Sequence, residues 1–286
     1  MAGLTRVVDR LCQASRAAGS SPWGGWTWPE ALPEDAWYFS PELISLWGTA
    51  AHDRLEERQR QRLSFLEAVN FFSLNVHGER ALLEGLAHRL YRPGDEAWTS
   101  YLHHFLDEEN KHMVYFGTFC TKYAGAVYPD RKLSLPREAA EGEEDFLFFA
   151  KVLVFEEIVD VYNKRMARDW RLHPLAREIN LRHHQDESRH LAFGRRLVRQ
   201  LFEQHAPHWT AEGVRRVRAY LGEYVRSTWR EYYNPAVYRD AGLSDAYGLA
   251  RLAYAAEPAR QRRAEVMRTC FKVLTRIGVL EEVPGI

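Results

Sequence analysis

Residues 183–190 read HHQDESRH, which places three histidines and two acidic residues within eight positions. His183, Glu187 and His190 lie at i, i+4 and i+7, so an α-helix would align them on one face over two turns. That face would present two imidazoles and one carboxylate, which are ligands for transition metals. A solvated helix face of mixed charge is the alternative interpretation of this segment taken alone.

A second segment repeats part of this pattern. In FLDEENKHMVYF, residues 105–116, Glu109 precedes His112 by three positions, which is also the spacing between Glu187 and His190. Four-helix dimetal carboxylate proteins carry a Glu-x-x-His motif on each of two helices and one glutamate on each of the other two. The repeat therefore predicts a helical bundle built around two metal ions.

Turn residues divide the chain into long helical pieces, and no segment after Ser40 shows the alternation of a half-buried strand. We therefore predict an all-α fold, a ferritin-like four-helix bundle with additional peripheral helices. The long helices are expected over about 62–91, 97–122, 145–170 and 175–204, and the smaller ones near 209–231, 244–254 and 257–277.

The other two long helices carry glutamates in apolar surroundings. FFSLNVHGERALLEGL, residues 71–86, contains Glu79, and FFAKVLVFEEIVDVY, residues 148–162, contains Glu156 and Glu157. Glu79 and Glu109 would both lie about 18 Å from the turn that joins their helices, at about 1.5 Å per residue. Glu156 is level with the acid of the facing helix to within about one turn, whereas Glu67 is too far along its helix to join them.

A buried cluster of four carboxylates and three imidazoles requires cations, because each unpaired buried charge costs several kcal/mol. Two divalent cations would neutralise the four carboxylates. Mixed nitrogen and oxygen ligands suit iron, manganese or zinc. The sequence thus predicts a dimetal site, and a chance pair of salt-bridged helix faces is the alternative.

The composition is that of a globular protein, with 46% hydrophobic and 27% charged residues. Lys plus Arg equals Asp plus Glu at 39 each, which argues against a nucleic acid or an anionic membrane as the main partner. The three cysteines are far apart, so no disulfide framework is expected. With no secretory signal and no apolar run long enough to span a bilayer, we expect a cytoplasmic protein.

The N-terminal part begins with a short helix and continues as GSSPWGGWTWPEALPEDAWYFSP, residues 19–41, where Gly and Pro exclude a regular helix. We expect one domain over 1–286, comprising this helix and arm in 1–40, the metal-binding bundle in 62–204 and peripheral helices in 205–286. The tryptophans of the arm are expected to cover one end of the bundle: Trp23, Trp26, Trp28 and Trp37.

These segments resemble the ferritin-like di-iron N-oxygenases typified by p-aminobenzoate N-oxygenase, which convert arylamines to nitroarenes. The resemblance covers about residues 40–205 and is carried by HHQDESRH, by the Glu-Glu step before x-x-His at 108–112, by VFEEIVDVY and by residues 60–86. It places the third-helix glutamate on Glu156, with Glu157 as the alternative. The metal ligands that it implies are Glu79, Glu109, His112, Glu156, His183, Glu187 and His190.

The resemblance also implies a function. It predicts two iron ions bridged by Glu109 and Glu187, O2 as co-substrate, an external electron donor and a homodimer. The extra imidazole of His183 implies oxygenation at nitrogen rather than attack on C–H bonds. A di-iron C-hydroxylase or desaturase is the second hypothesis, and an iron-storage or ferroxidase bundle is the third.

Family members bind acidic arylamines through an arginine late in the chain, and the last helix offers Arg262, Arg263 and Arg268. Arg268 is expected to face inward because it lies between Met267 and Cys270, although a solvated basic face is the alternative. Aromatic side chains near the ligands are expected to line the substrate pocket or to belong to the core. These are Phe72, Tyr115 and Phe155, with Phe71 and Phe116 as neighbours.

Overall fold

A computed structural model of the chain describes residues 2–19, 21, 24–92, 96–130, 140–281 and 284–286. These residues form α-helices and two short 3-10 helices but no β-strand, which confirms the predicted all-α fold. The α-helices are α1 (Ala2–Ala18), α2 (Ala50–Asp53), α3 (Glu57–Ala87), α4 (Glu96–Ala124), α5 (Glu143–Arg168), α6 (Pro174–His205), α7 (Ala211–Glu231), α8 (Pro235–Asp240), α9 (Ala246–Ala255) and α10 (Glu257–Arg276).

The four longest helices form the bundle that the Glu-x-x-His repeat predicts. α3 packs against α4 and α5 packs against α6, and contacts of α4 with α6 and of α3 with α5 join the two hairpins. α1 lies on α4 and α6, α7 and α10 lie on α5, and α8 lies on α3. The additional helices therefore surround the bundle, as the sequence predicts.

The bounds of α3 differ from the prediction by about one turn at each end. The helix begins at Glu57 because Glu56 and Gln59 form a capping box, in which the Glu56 backbone N–H donates to Gln59 Oε1 at 2.9 Å. It ends at Ala87 rather than near 91. Tyr91 has a φ of 57°, a left-handed conformation that a helix cannot continue through.

The tryptophan-rich arm follows one side of α4 and reaches the bundle end where α5 and α6 meet. Trp37 lies at that end, where its carbonyl accepts a hydrogen bond of 2.7 Å from the backbone N–H of His173. Trp28 lies near Tyr123 in the last turn of α4. Trp26 lies near Tyr115, about two turns closer to the start of that helix. The arm thus covers this end and part of the adjacent side, while Trp23 is outside the described residues.

Two expected exclusions can be compared with the structure. All three cysteines are buried and free, in agreement with the absence of a disulfide framework. Within the described part of the chain, no helix combines the length and the apolar character needed to cross a bilayer.

Glu67, which the height argument excludes from the metal site, is a buried carboxylate with its own partners. Its Oε1 accepts hydrogen bonds from the Ser45 backbone N–H at 3.0 Å and from the Ser45 hydroxyl. Burial raises the pKa of Glu67 to about 7, although the Ser45 hydrogen bonds and the charge of Arg262 oppose this shift. Because its acceptor atom is already satisfied, Glu67 needs no metal ion.

We expect the Glu67→Gln variant to change how stability depends on pH. The folded-state pKa lies above the unfolded value, so the wild-type protein loses stability as the pH rises through about 7 and the buried carboxyl ionises. Glutamine cannot ionise, and its oxygen can keep the Ser45 hydrogen bonds. Between about pH 5 and pH 8 the variant should gain about 2 kcal/mol of unfolding free energy relative to wild type. Denaturant unfolding of both zinc-loaded proteins measures this gain, and a difference that is independent of pH would contradict it.

Candidate metal centre

The middle of the bundle contains two overlapping groups of potential metal ligands. In the first group, Glu79, Glu109, His112 and His183 each offer an atom, and these atoms lie within 4.8 Å of one another. All four residues are fully buried. The group joins helices α3, α4 and α6, so it forms only when the two hairpins pack together.

The second group lies beside the first and shares one residue with it. Its members are Glu109, Glu156, Glu187 and His190, whose ligand atoms also lie within 4.8 Å of one another. None of these residues is more than 2% exposed. The structure thus brings together all seven residues that the sequence singles out, and Glu109 belongs to both groups.

The imidazoles point their nitrogens at the carboxylates. His183 Nε2 lies 3.0 Å from Glu187 Oε1 and 3.3 Å from Glu79 Oε1. His190 Nδ1 lies 2.8 Å from Glu109 Oε1. Glu187 Oε1 is also 3.7 Å from His112 Nδ1, so this carboxylate faces ligands of both groups.

Several of these buried atoms lack the hydrogen bonds that buried polar groups normally form. Among the described residues, both carboxylate oxygens of Glu79 and of Glu156 form none. The same is true of Glu109 Oε1, Glu187 Oε2 and His183 Nε2, since the short contacts of Glu109 Oε1 and His183 Nε2 given above lack the geometry of hydrogen bonds. An unsatisfied buried polar group costs about 1–3 kcal/mol, and bound cations would satisfy these atoms together. The donor set therefore fits two metal ions.

The pKa values in the cluster move in opposite directions. Burial raises the pKa of Glu79 well above its ordinary value, and the negative charge of Glu109 raises it further. For Glu109 itself, burial opposes ionisation, but the attraction of His190 and His112 outweighs it and lowers the pKa. Glu156 is shifted upward by burial and by Glu187. Without a metal the cluster therefore retains protons, which metal binding would displace.

A charged network holds the outer nitrogens of two of the histidines. Glu108 Oε2 lies 2.8 Å from His190 Nε2, and Asp186 Oδ2 lies 3.2 Å from His112 Nε2. Each acid therefore supports the histidine of the opposite helix. Arg189 connects the two acids, because its Nη2 donates to Glu108 Oε1 at 2.6 Å and also bonds Asp186. Such outer contacts fix the orientation and basicity of metal-binding imidazoles.

Only part of this network of charged side chains can be predicted from the sequence. The spacing of residues 183–190 turns Asp186 and Arg189 away from the ligand face, which predicts solvated or supporting groups, but it assigns no role to Glu108. The signal that could have found it is that an acid directly precedes each motif glutamate, Glu108 before Glu109 and Asp186 before Glu187. On a helix this step turns the first acid away from the centre, toward the outer nitrogen of a neighbouring histidine.

His183 has a different support. Its Nδ1 lies within hydrogen-bonding distance of the Asn163 amide, whose Oδ1 forms no other hydrogen bond among the described residues. With the amide turned over, Oδ1 accepts the Nδ1 proton, and the Nε2 lone pair then faces the carboxylates. Burial, together with the charge of His112, lowers the pKa of His183. The imidazole is therefore neutral at pH 7 and available as a ligand.

We expect Asn163→Leu to weaken metal binding by about tenfold, the lower end of the range for lost outer-shell contacts. Leucine fills a similar volume but cannot accept the His183 proton, so the ring loses its fixed tautomer. Competition titration with zinc and a chelating dye measures the change. Asn163→Asp keeps an acceptor oxygen and should retain more of the affinity than the leucine variant. Equal affinities for wild type and Asn163→Leu would contradict this role.

The two adjacent glutamates of α5 are distinguished by their partners. Glu156 joins the second ligand group, whereas Glu157 Oε1 accepts a hydrogen bond of 2.6 Å from Arg195 Nε. Glu157 therefore faces the outside of the bundle, and the structure favours Glu156 at the centre.

The expected substrate contacts are only partly near the cluster. Tyr115 is buried, with its ring centroid 5.8 Å from that of His112, and Phe116 lies 4.9 Å from His183. Phe72 is fully buried and stacks on Phe116 at 5.1 Å. Phe155 is half-buried and covers Gly78, where an added Cβ would lie 2.4 Å from the ring. Phe155 therefore packs between α3 and α5.

The inward orientation expected for Arg268 is wrong. Arg268 is exposed, whereas Arg262 and Arg263 are buried. The face of α10 toward α5 consists of positions such as Met267 and Cys270, and Arg268 follows that stripe on the solvent side. The apolar residues near Arg268 in the sequence therefore do not indicate which way its side chain points.

A four-helix bundle with a buried cluster of carboxylates and histidines defines the class of ferritin-like dimetal proteins. A sequence-family model described as p-aminobenzoate N-oxygenase AurF matches residues 3–278. The chain therefore belongs to the p-aminobenzoate N-oxygenase family and is an oxygenase, which confirms the resemblance found in the sequence.

No curated protein sequence matches the chain. Among solved structures, a mutant of an R2-like ligand-binding oxidase with an anaerobically reconstituted Mn/Fe cofactor is similar at 17% identity. That alignment covers 90% of this chain and 92% of the other, with a TM-score of 0.46.

Proposed function

We propose that the two ligand groups bind two iron ions and that the protein uses O2 to oxygenate the nitrogen of an amine, in particular an arylamine. Manganese and zinc suit the same donors. Glu109 and Glu187 would contact both ions, because each lies beside histidines of both groups. The proposed ligands are Glu79, Glu109, His112, Glu156, His183, Glu187 and His190.

The observation that carries the proposal is the third imidazole within the cluster. His183 is fully buried, neutral and supported by Asn163, and its Nε2 faces Glu79 and Glu187. A bundle with two Glu-x-x-His motifs and two further glutamates contains only two such histidines. Together with membership of an N-oxygenase family, this additional nitrogen donor supports oxygenation at nitrogen.

When bound, the iron pair would supply the activation of O2, which the side chains alone cannot perform. The chain provides the surroundings of that chemistry. Four carboxylates balance the charge of the metals, and the network around Arg189 holds His112 and His190 in fixed orientations. The buried rings of Phe72 and Phe116 exclude water from the side of the centre next to His183.

An acidic arylamine would also need a positive contact. Arg268 is exposed, and the buried Arg262 lies close to Glu67, which is too far along α3 to reach the metal cluster, so neither side chain is placed to bind a substrate carboxylate there. Arg262 Nη1 donates to the Glu42 carbonyl at 3.0 Å, and Arg263 Nη1 donates to the Tyr233 hydroxyl at 2.8 Å. Both buried arginines therefore already contribute to the packing of α10.

Product analysis with labelled oxygen tests the function. The iron-loaded protein is reduced, exposed to 18O2 in the presence of p-aminobenzoate, and the products are analysed by mass spectrometry. We expect labelled oxygen on the nitrogen, as hydroxylamine or nitro product. Labelled phenol would instead indicate a C-hydroxylase. Iron oxidation without a labelled product, together with a cage-sized particle in gel filtration, would indicate iron storage.

Two expectations remain predictions. The family resemblance implies a homodimer, which light scattering of the purified protein would test. The external electron donor that it also implies would be needed to reduce the iron pair before each reaction with O2.

A further inference from the structure

A column of aromatic rings connects the metal cluster with the surface of the bundle. It starts at His112, whose ring centroid lies 5.8 Å from that of Tyr115, and Tyr115 lies 4.9 Å from Trp26. Trp26 stacks on Trp28 at 5.4 Å, and Trp28 lies 6.4 Å from Tyr123. Each ring is in contact with the next, so the column is continuous from a proposed ligand to the last turn of α4.

The arm that supplies the two tryptophans is held in place. The Arg182 guanidinium lies 4.1 Å above the Trp26 ring, and its Nη2 donates to the Gly25 carbonyl at 3.1 Å. The Tyr123 hydroxyl donates to the Pro29 carbonyl at 2.8 Å. These contacts fix the order of the rings, which simple burial of apolar surface would not require.

The outer end of the column opens into a cavity of about 630 Å³. Tyr123 forms one wall, and Tyr38 and Phe65 form others. The walls are fixed, because the Tyr38 hydroxyl donates to the Pro33 carbonyl at 2.7 Å and its ring packs edge-on against Phe65 at 5.5 Å. This volume lies within the range of about 300–1,000 Å³ that is typical of ligand sites, and the lining combines these rings with five charged side chains.

The charges around this cavity favour an anion. Arg58 is paired with Glu34 at 2.8 Å, and the carboxylate of Glu30 lies at the rim. Arg62 and Lys122 form no ion pair with any described carboxylate, and they lie over the rings of the wall. Two cations beside flat aromatic walls match a planar ring system that carries a phosphate group.

We propose that this cavity binds reduced flavin mononucleotide and that the aromatic column carries its electrons to the metal pair. The proposal rests on the proposed function, because it supplies the reductant that an iron oxygenase needs. The flavin ring would lie against Tyr123, with its phosphate between Arg62 and Lys122. Electron tunnelling through protein slows steeply with distance and with gaps in packing, and the contacting rings leave no such gap along this path.

The electron balance is simple. Oxidation of one dihydroflavin to flavin releases two electrons and two protons. Each of two ferric ions takes up one electron and becomes ferrous, and the protons pass to solvent at the cavity. The rings of the column are neither oxidised nor reduced, because the electrons tunnel from the flavin to the metal ions through the packed atoms.

Binding is tested with flavin mononucleotide and the zinc-loaded 286-residue chain, in which the metal cannot be reduced. We expect saturable binding that quenches the flavin fluorescence, because the ring stacks on tyrosine. The Arg62→Glu/Lys122→Glu double variant should raise the Kd at least tenfold, and riboflavin, which lacks the phosphate, should bind at least tenfold more weakly. Arg10→Glu/Arg196→Glu, at another surface pocket, is the matched control and should leave the Kd unchanged. Absence of saturable binding, or an unchanged Kd in the first variant, would overturn the site.

Electron delivery is tested by mixing the iron-loaded protein with reduced flavin mononucleotide under anaerobic conditions and following flavin oxidation. Trp26→Leu should slow metal reduction at saturating flavin at least tenfold while the Kd and the iron content stay unchanged. Trp47→Leu, at an exposed tryptophan outside the column, should have no effect. An unchanged rate in Trp26→Leu would overturn the column. Neither readout depends on the oxygenated product, so oxygenation at carbon would refute the proposed function without affecting this inference.

Discussion

Replacing Glu109 with alanine is expected to lower the metal content from two ions per chain to less than one. Glu109 belongs to both ligand groups, so its loss removes a ligand from each metal position. It also leaves His112 and His190 without the carboxylate that lies 3.1 Å and 2.8 Å from their Nδ1 atoms. Elemental analysis by mass spectrometry of protein purified from iron-supplemented cells measures the effect.

The matched control is Glu157→Ala. Glu157 is also a buried glutamate of the bundle, but its partner is Arg195 and it faces away from the cluster. Its removal should leave the metal content unchanged even if the protein becomes less stable. Full metal content in Glu109→Ala, or an equal loss in both variants, would show that the cluster does not bind the metal as proposed.

The second large effect is expected for Arg189→Leu. Arg189 is only 11% exposed and is a cation that pairs with both Glu108 and Asp186, each of which also contacts a histidine. Removing one partner of a buried ion pair costs about 3–5 kcal/mol, because the remaining charges stay buried without compensation. The same change frees the carboxylates that orient His190 and His112, so we also expect metal affinity to fall by about 10–100-fold.

Thermal unfolding with and without chelator separates these two consequences. Stability should fall both in the metal-free and in the metal-loaded state, while the stabilisation gained on metal binding should also shrink. Arg189→Lys keeps the charge, but lysine lacks the planar guanidinium that bonds both acids at once. We expect its stability and its metal affinity to lie between those of wild type and Arg189→Leu. Arg199→Leu removes an exposed ion pair on the same helix and should change little. If Arg189→Leu resembled Arg199→Leu, the network would have no role in the centre.

The ligand residues could be predicted because helix geometry converts sequence spacing into position. Glu109 and His112, like Glu187 and His190, share one helix face whatever the remainder of the chain does. Equal distance from the hairpin turn then selects Glu79 over Glu67. The same argument cannot find Asn163, because a single buried amide seven positions after Glu156 has no pattern that distinguishes it from an ordinary core residue.

Sequence spacing could not predict which side chains of α10 face the bundle. Neighbouring apolar residues made Arg268 look buried, but its helix packs on α5 through a different stripe, and only the tertiary contact shows which arginines are covered. The path of the tryptophan-rich arm could not be predicted either, for the same reason. Its glycines and prolines exclude a helix, but the contact of Trp26 with Tyr115 depends on where Arg182 holds the chain.

Anomalous diffraction from crystals of the iron-loaded protein would show where the bundle holds its metal ions. Data collected on both sides of the iron absorption edge locate iron independently of any assumption about its ligands. We expect two iron peaks in the bundle, both contacted by Glu109, with His183 beside one of them. A single peak, or peaks outside the four carboxylates, would contradict it.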